Sequence, residues 1–356
     1  MIAPTSDFVL FASHLNEVQD YLIEQCHSHS KVFVLCDENT LELCFPILVE
    51  HCEPLSKAEI LVVEPGEPSK TLPIAEQLFL QLMDSGADKK SLLINLGGGV
   101  ITDIGGWVGA NYKRGIDFIH IPTSLMAMTD AAIGGKTGLD LGDYKNMIGL
   151  VAFAKCTLVC SSFLETLAPS ELLSGRAEMV KHALLRNQSS YDDTISSILL
   201  DEPLELDDII LSAKVKLEIV TKDPFEQSIR KSLNAGHTIG HALESWFLSQ
   251  GRPVAHGIAV AAGLAIEIQI STMCFPESSL PSQEIALHLI DAFQLRLLDW
   301  PEADHWMTYA QHDKKNSGGQ IRMALLKDFG QCDIEAVATP EQITAAYAHF
   351  RSLLAL

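Results

Sequence analysis

Five short runs in the first 160 residues are apolar almost from end to end, and they limit the possible folds more than any other feature. They are Lys31–Cys36, Glu59–Val63, Ser91–Leu96, Asp117–Ile121 and Thr157–Cys160, mostly ending in Gly, Asp, Pro or Ser and separated by helix-length segments. A strand that is apolar on both faces must be covered on both faces, which is the condition of a parallel sheet flanked by helices. From about Phe163 the apolar spacing changes to a helical period almost throughout. Pro169-Ser170-Glu171 reads as a helix start, with Ser170 as its cap. The expected class is α/β: a Rossmann-like parallel-sheet nucleotide-binding domain over residues 1–161, then a mainly α-helical domain over 162–356, with the cleft between them. At 356 residues, both domains are large enough to bury a core.

Charge removes several function classes. The net charge is −21, and an acidic surface has no field to recruit a phosphate backbone, so nucleic acid and anionic membrane are excluded as partners. Such a chain can still bind a small anion if its few cations gather in one place. The N-terminus lacks the basic-then-apolar layout of a signal peptide. The longest apolar stretch, Val254–Ile266, is interrupted by His256 and glycines and is short for a bilayer. The expectation is a soluble, cytoplasmic protein. Cys26, Cys36, Cys44, Cys52, Cys156, Cys160, Cys274 and Cys332 form no CxxC pair and read as reduced thiols.

Four segments carry chemistry. Gly97-Gly98-Gly99-Val100-Ile101-Thr102-Asp103-Ile104-Gly105-Gly106 follows a strand and opens a helix, which suits a pyrophosphate at a helix N-terminus. It is not GxGxxG, and a tight strand-to-helix turn would also explain it. Asp103 suits the dipole of that first turn, or could hold a substrate hydroxyl. Asp130, Gly134-Gly135-Lys136-Thr137 and Gly142-Asp143-Tyr144-Lys145-Asn146, shortly after Arg114, concentrate two lysines and an asparagine around a glycine-rich loop. That reads as an anion site rather than a solvated loop. Glu178, Lys181 and His182 share one helical face, where an exposed ion pair is the plainer explanation of this segment alone. Finally, His237 and His241 are four apart and His256 follows, with Arg230 and Asn234 close by in sequence. One histidine on an apolar face is usually a core residue. Three in such a window, with a distant glutamate, could hold a divalent metal and leave room for substrate.

Together these segments resemble one family. GGGVITDIGG, KRGIDFIHIPTSL, DAAIGGKT with GDYKNMIG, SGRAEMVKHALL, RKSLNAGHTIGHALE, HG followed by AVAAG, and HDKKNSGG occur in the order found in the 3-dehydroquinate synthases, among the sugar phosphate cyclases. The resemblance runs from about Asp37 to Gly330. It implies an NAD- and divalent-metal-dependent carbon–oxygen lyase, with zinc or cobalt as the metal. The implied reaction converts 3-deoxy-D-arabino-heptulosonate 7-phosphate to 3-dehydroquinate and phosphate, in the shikimate pathway of aromatic amino acid biosynthesis. Transient oxidation by NAD, β-elimination of phosphate, re-reduction and an intramolecular aldol closure are the implied steps.

Position by position, the resemblance implies Glu178, His237 and His256 as metal ligands. It thereby moves His241, the better spaced partner of His237, to a substrate contact. It implies catalytic roles for Asp130, Lys136, Asn234 and His241. Substrate contacts fall on Arg114, Asn146, Lys181, Lys216, Arg230, Lys314 and Lys315, and Arg114 matches an arginine that reaches the neighbouring subunit's site, so a homodimer is implied. NAD contacts fall on Asp37, Asn39, Glu67, Lys70, Gly98, Gly99, Asp103, Thr123, Ser124, Lys145, Thr166, Leu167 and Glu171. The chain departs from the family at two places: Ile258 stands after His256-Gly257 where the family usually has Glu, and PGEPSK lacks the common acidic residue before its glycine. The first departure implies loss of a partner that orients His256. Rival readings are a cyclase for a neutral sugar phosphate, a glycerol- or alcohol-type dehydrogenase, and a binding protein without activity.

Overall fold

The computed structural model describes residues 8–142, 144–311 and 321–356, and the chain divides into two compact units. The first holds Met1–Ala168 together with Glu205–Leu217; the second holds Pro169–Leu204 and Glu218–Leu356.

In the first unit, β1 (Val9–Ala12), β2 (Val32–Asp37), β3 (Glu59–Val63), β4 (Leu92–Gly97), β5 (Asp117–Pro122) and, after an excursion, β8 (Cys156–Cys160) form one sheet. Its order is β1-β8-β5-β4-β2-β3, parallel throughout. The five apolar runs are five of these strands, and every residue of β4 and of β8 is buried. β1, only four residues long, lies at one edge and was not anticipated. Inside the sheet one polar pair is fully enclosed: Asn95 Nδ2 donates to His120 Nδ1 at 3.2 Å, and burial pushes His120 down to about 3, so its ring is neutral.

The order of strands places a binding crevice. From β2 the chain moves outward to β3, then crosses back to β4 and proceeds the other way through β5 and β8. Connections leaving the carboxyl ends of β2 and β4 therefore diverge, and in an open parallel sheet that divergence is where nucleotides bind. Between β5 and β8 the chain forms a separate antiparallel hairpin, β6 (Lys136–Leu141) and β7 (Tyr144–Val151). The glycine-rich segment expected to be a loop is thus largely paired strand.

The second unit is mainly helical around one apolar core. Its centre is the His256–Cys274 helix, whose residues from Ala259 to Ser271 are all buried. At 19 residues this helix is long and apolar enough to cross a membrane, but 78% of its apolar window is buried inside the protein. Core burial therefore accounts for the apolar stretch, with no appeal to its being too short. The helix Pro169–Arg186 begins at Pro169, so Ser170 lies inside the first turn rather than at the cap. An antiparallel hairpin, β9 (Ile321–Asp328) and β10 (Gln331–Ala338), also packs here, against the expectation of helix almost throughout. None of the eight cysteines forms a disulfide.

Candidate active site

Nearly all the residues expected to contact NAD sit where chains leave the sheet. Asp37 ends β2 and caps the short helix Glu38–Leu43, accepting the Thr40 N–H at 2.8 Å; Asn39 lies exposed in that helix. Gly98 and Gly99 follow β4 and open the helix Gly99–Asn111, with Asp103 in its second turn. Thr123 and Ser124 follow β5, and Thr166 and Leu167 close the turn after β8. Glu171 belongs to the second unit, exposed in the first turn of Pro169–Arg186.

Lys70 ties several of these together. It is 4% exposed, and its Nζ lies 2.6 Å from Asp103 Oδ2, 3.8 Å from Glu67 Oε1 and 2.6 Å from Asn146 Oδ1. Lys145 approaches the same Glu67 oxygen at 3.9 Å. Asn146 is held with φ 55°, a left-handed conformation that asparagine tolerates better than most residues. The carboxylate of Asp140 stabilises it by accepting the Asn146 N–H at 2.6 Å, and sequence reasoning missed Asp140. Lys136 is exposed at the start of β6. Arg114 is exposed too, in a short turn where it and Lys113 both have positive φ.

Asp130 lies in a π-helical turn, Ala127–Ala131, a distortion found often at functional sites. Its partner is Lys216, 6% exposed, on the helix Leu206–Lys222. Lys216 Nζ lies 2.9 Å from Asp130 Oδ1 and donates to the Asp130 carbonyl at 2.6 Å. A segment 86 residues away thus supplies the cation.

The second unit assembles the other half of the candidate residues from three helices. Glu178, on Pro169–Arg186, is 1% exposed and pairs with Lys181, also 1% exposed. Its Oε1 lies 3.4 Å from His237 Nε2 and 3.7 Å from His256 Nε2. His237 begins the helix His237–Ser249 and His256 begins His256–Cys274. Close packing sets these distances. A Cβ on Gly257 would fall 1.9 Å from the Ser174 carbonyl oxygen, and one on Gly263 2.0 Å from that of Gly236, so only glycine allows the helices to meet this closely. Glu267 fixes the start of the His237 helix, accepting the N–H groups of Gly236 at 2.6 Å and Ile239 at 3.0 Å.

The far nitrogens of both rings are committed. His237 Nδ1 donates to the Ala235 carbonyl at 3.1 Å, and His256 Nδ1 to Glu244 Oε2 at 2.9 Å. Carbonyl and carboxylate oxygens only accept, so both Nδ1 atoms carry hydrogen and both Nε2 atoms turn toward Glu178. Ligands about 2.1 Å from a tetrahedral cation lie roughly 3.4 Å apart, so the spacing of Glu178 from each imidazole suits such an ion. Without a cation, burial lowers His237. Burial acts the same way on His256, but hydrogen bonds to Glu178 and Glu244 outweigh it and raise that ring to about 9. Burial opposes ionisation of Glu178, yet Lys181 and His237 hold it well below the usual carboxylate range.

His241 is exposed, its ring centroid 5.2 Å from that of His237 and 5.5 Å from that of His256. Its donor atom and those of the other two histidines lie within 4.8 Å of one another, so the spacing-based trio also comes together. Arg230, 1% exposed, donates through Nη1 to the Pro224 carbonyl at 2.6 Å. Asn234 donates to Glu226 Oε1 at 3.1 Å, and Glu226, held with φ 57°, is another residue the sequence did not bring forward. Lys314 and Lys315 lie outside the described residues.

Two solved structures share this fold. A 2-epi-5-epi-valiolone synthase from Streptomyces hygroscopicus subsp. jinggangensis, with NAD+ and Zn2+ bound, superposes with a TM-score of 0.84 at 22% identity, covering 99% of this chain and 98% of that one. A 2-deoxy-scyllo-inosose synthase complexed with carbaglucose-6-phosphate, NAD+ and Co2+ gives 0.82 at 21% identity over 96% of each chain. The chain therefore shares the fold of these two synthases. Sequence narrows the class. Profiles of the 3-dehydroquinate synthase N-terminal and C-terminal regions match residues 60–174 and 175–316. A 3-dehydroquinate synthase of Parabacteroides distasonis is 41% identical over 344 residues, 94% of this chain and 95% of that one. The chain belongs to the 3-dehydroquinate synthase family.

Proposed function

We propose that the chain converts 3-deoxy-D-arabino-heptulosonate 7-phosphate to 3-dehydroquinate and phosphate, as a cytoplasmic homodimer holding NAD and one zinc or cobalt ion. The observation that carries the metal reading is the convergence of Glu178 Oε1 with two imidazole Nε2 atoms whose Nδ1 positions are already occupied. Catalytic metal sites keep three such ligands and leave a position for substrate. In the first unit, the carboxyl ends of β2 and β4, with Asp37, Gly98, Gly99 and the Lys70 network, suit a dinucleotide. When bound, NAD supplies a reversible hydride acceptor and the divalent ion a Lewis acid.

The chain's own residues bind, orient and move protons. A substrate with a carboxylate and a phosphate calls for cations in an otherwise acidic protein, and Lys136, Lys181, Lys216 and Arg230 are assigned to that task, with Arg114, Asn146, Lys314 and Lys315 as further contacts. Lys216 orients the Asp130 carboxylate toward the task of accepting a hydroxyl proton. Asn234, steadied by Glu226, presents an amide to a substrate hydroxyl. His241 offers an exposed imidazole beside His237 for proton transfer. Holding the opened product in a reactive conformer lets the ring close intramolecularly.

The test follows phosphate release from the heptulosonate phosphate with catalytic NAD and added zinc or cobalt, while absorbance of NADH is monitored. The expected result is one phosphate per substrate with no lasting NADH, abolished by a chelator. NADH accumulating without phosphate would instead identify a dehydrogenase.

A further inference from the structure

We propose that Glu244 is the positioning residue for His256. The inference rests on the metal reading above. Ile258 packs its apolar side chain on the core of the second unit and offers no acceptor to the neighbouring ring. Glu244 Oε2 stands 2.9 Å from His256 Nδ1 instead. A carboxylate that is 9% exposed must be offset by strong hydrogen bonds, because desolvating its charge is costly, and the imidazole N–H supplies one of them.

The contact is built into the helix. His237, His241 and Glu244 lie at positions i, i+4 and i+7 of His237–Ser249, so one face carries all three. Glu267, bound to Gly236 and Ile239 at the start of that helix, fixes the same face in place. With Nδ1–H committed to Glu244, the His256 ring can rotate neither its orientation nor its tautomer, and Nε2 stays turned toward Glu178 at 3.7 Å. Partners of this kind typically change metal affinity 10–100-fold.

The experiment titrates the metal-free full chain with Co2+, following its visible d–d absorption, and measures Zn2+ by competition with a chelating dye. Glu244→Gln keeps an amide oxygen that can accept from Nδ1–H and is expected to bind about 10-fold more weakly; Glu244→Ala should bind about 100-fold more weakly with an altered cobalt spectrum. NAD affinity should be unchanged in both, which a general loss of packing would not permit. Wild-type affinity and spectrum in both variants would overturn the proposal, and if Glu244→Ala does not fold, the Gln variant decides by the same criterion. Glu178→Gln separates this inference from the reading beneath it. If that change leaves metal binding untouched, or if the wild type binds no metal, the metal site itself fails and the role of Glu244 with it. If Glu178→Gln abolishes binding while the Glu244 variants bind normally, only the role of Glu244 is lost.

Discussion

Lys70 shows how much a single buried charge can organise. Its ammonium serves a carboxylate on the helix after β4 and an amide on β7. Removing the charge strands Asp103 next to an apolar stump, and breaking a buried pair from one side costs about 3 kcal/mol or more. Lys70→Met is therefore expected to lower the stability of the first unit by about 3 kcal/mol in urea titrations. The same change should weaken NAD at least about 10-fold by calorimetric titration, a loss of about 1.4 kcal/mol in binding. Stability lost with NAD affinity intact would separate Lys70 from the nucleotide and leave it a purely structural residue.

Among the elements, the crossing helices of the second unit are the most exacting. Gly257→Ala places a methyl 1.9 Å from the Ser174 carbonyl oxygen, and neither backbone can yield without moving Glu178 or His256. Overpacking of this kind costs about 1–3 kcal/mol and sometimes more. The variant should melt earlier and lose metal affinity together; metal binding that survives intact would mean the helices have slack that the contact distances deny. These elements also show what a sequence exposes. β2 to β5 and β8 were legible because their residues are mostly apolar, and β4 and β8 are buried along their whole length. β1 is too short to carry a pattern, and β9 alternates Ile321, Met323 and Leu325 within a chain otherwise of helical period. At the site, residue types and spacing gave the histidine cluster, whereas choosing Glu178 over His241 as a ligand came from family resemblance. Asp140, Glu226 and Glu244 escaped because each acts through hydrogen bonds that only the fold creates. Glu244 alone left a trace, in the H-x3-H-x2-E spacing of its helix.

For the molecule as a whole, a bound ion stabilises the part that holds it by mass action, about 2.7 kcal/mol when the metal is present at 100 times its Kd. Chelation should accelerate hydrogen exchange along His256–Cys274 accordingly; exchange there that ignores the chelator would place the metal elsewhere. The division of the chain has a different kind of consequence. Glu205–Leu217 belongs to the first unit, although Pro169–Leu204, ahead of it in sequence, belongs to the second. On a ribosome emitting about 5–20 residues per second, the parallel sheet would be out of the exit tunnel seconds before Lys216 arrives to neutralise Asp130. The first unit is therefore completed by a segment that is synthesised only after part of its neighbour.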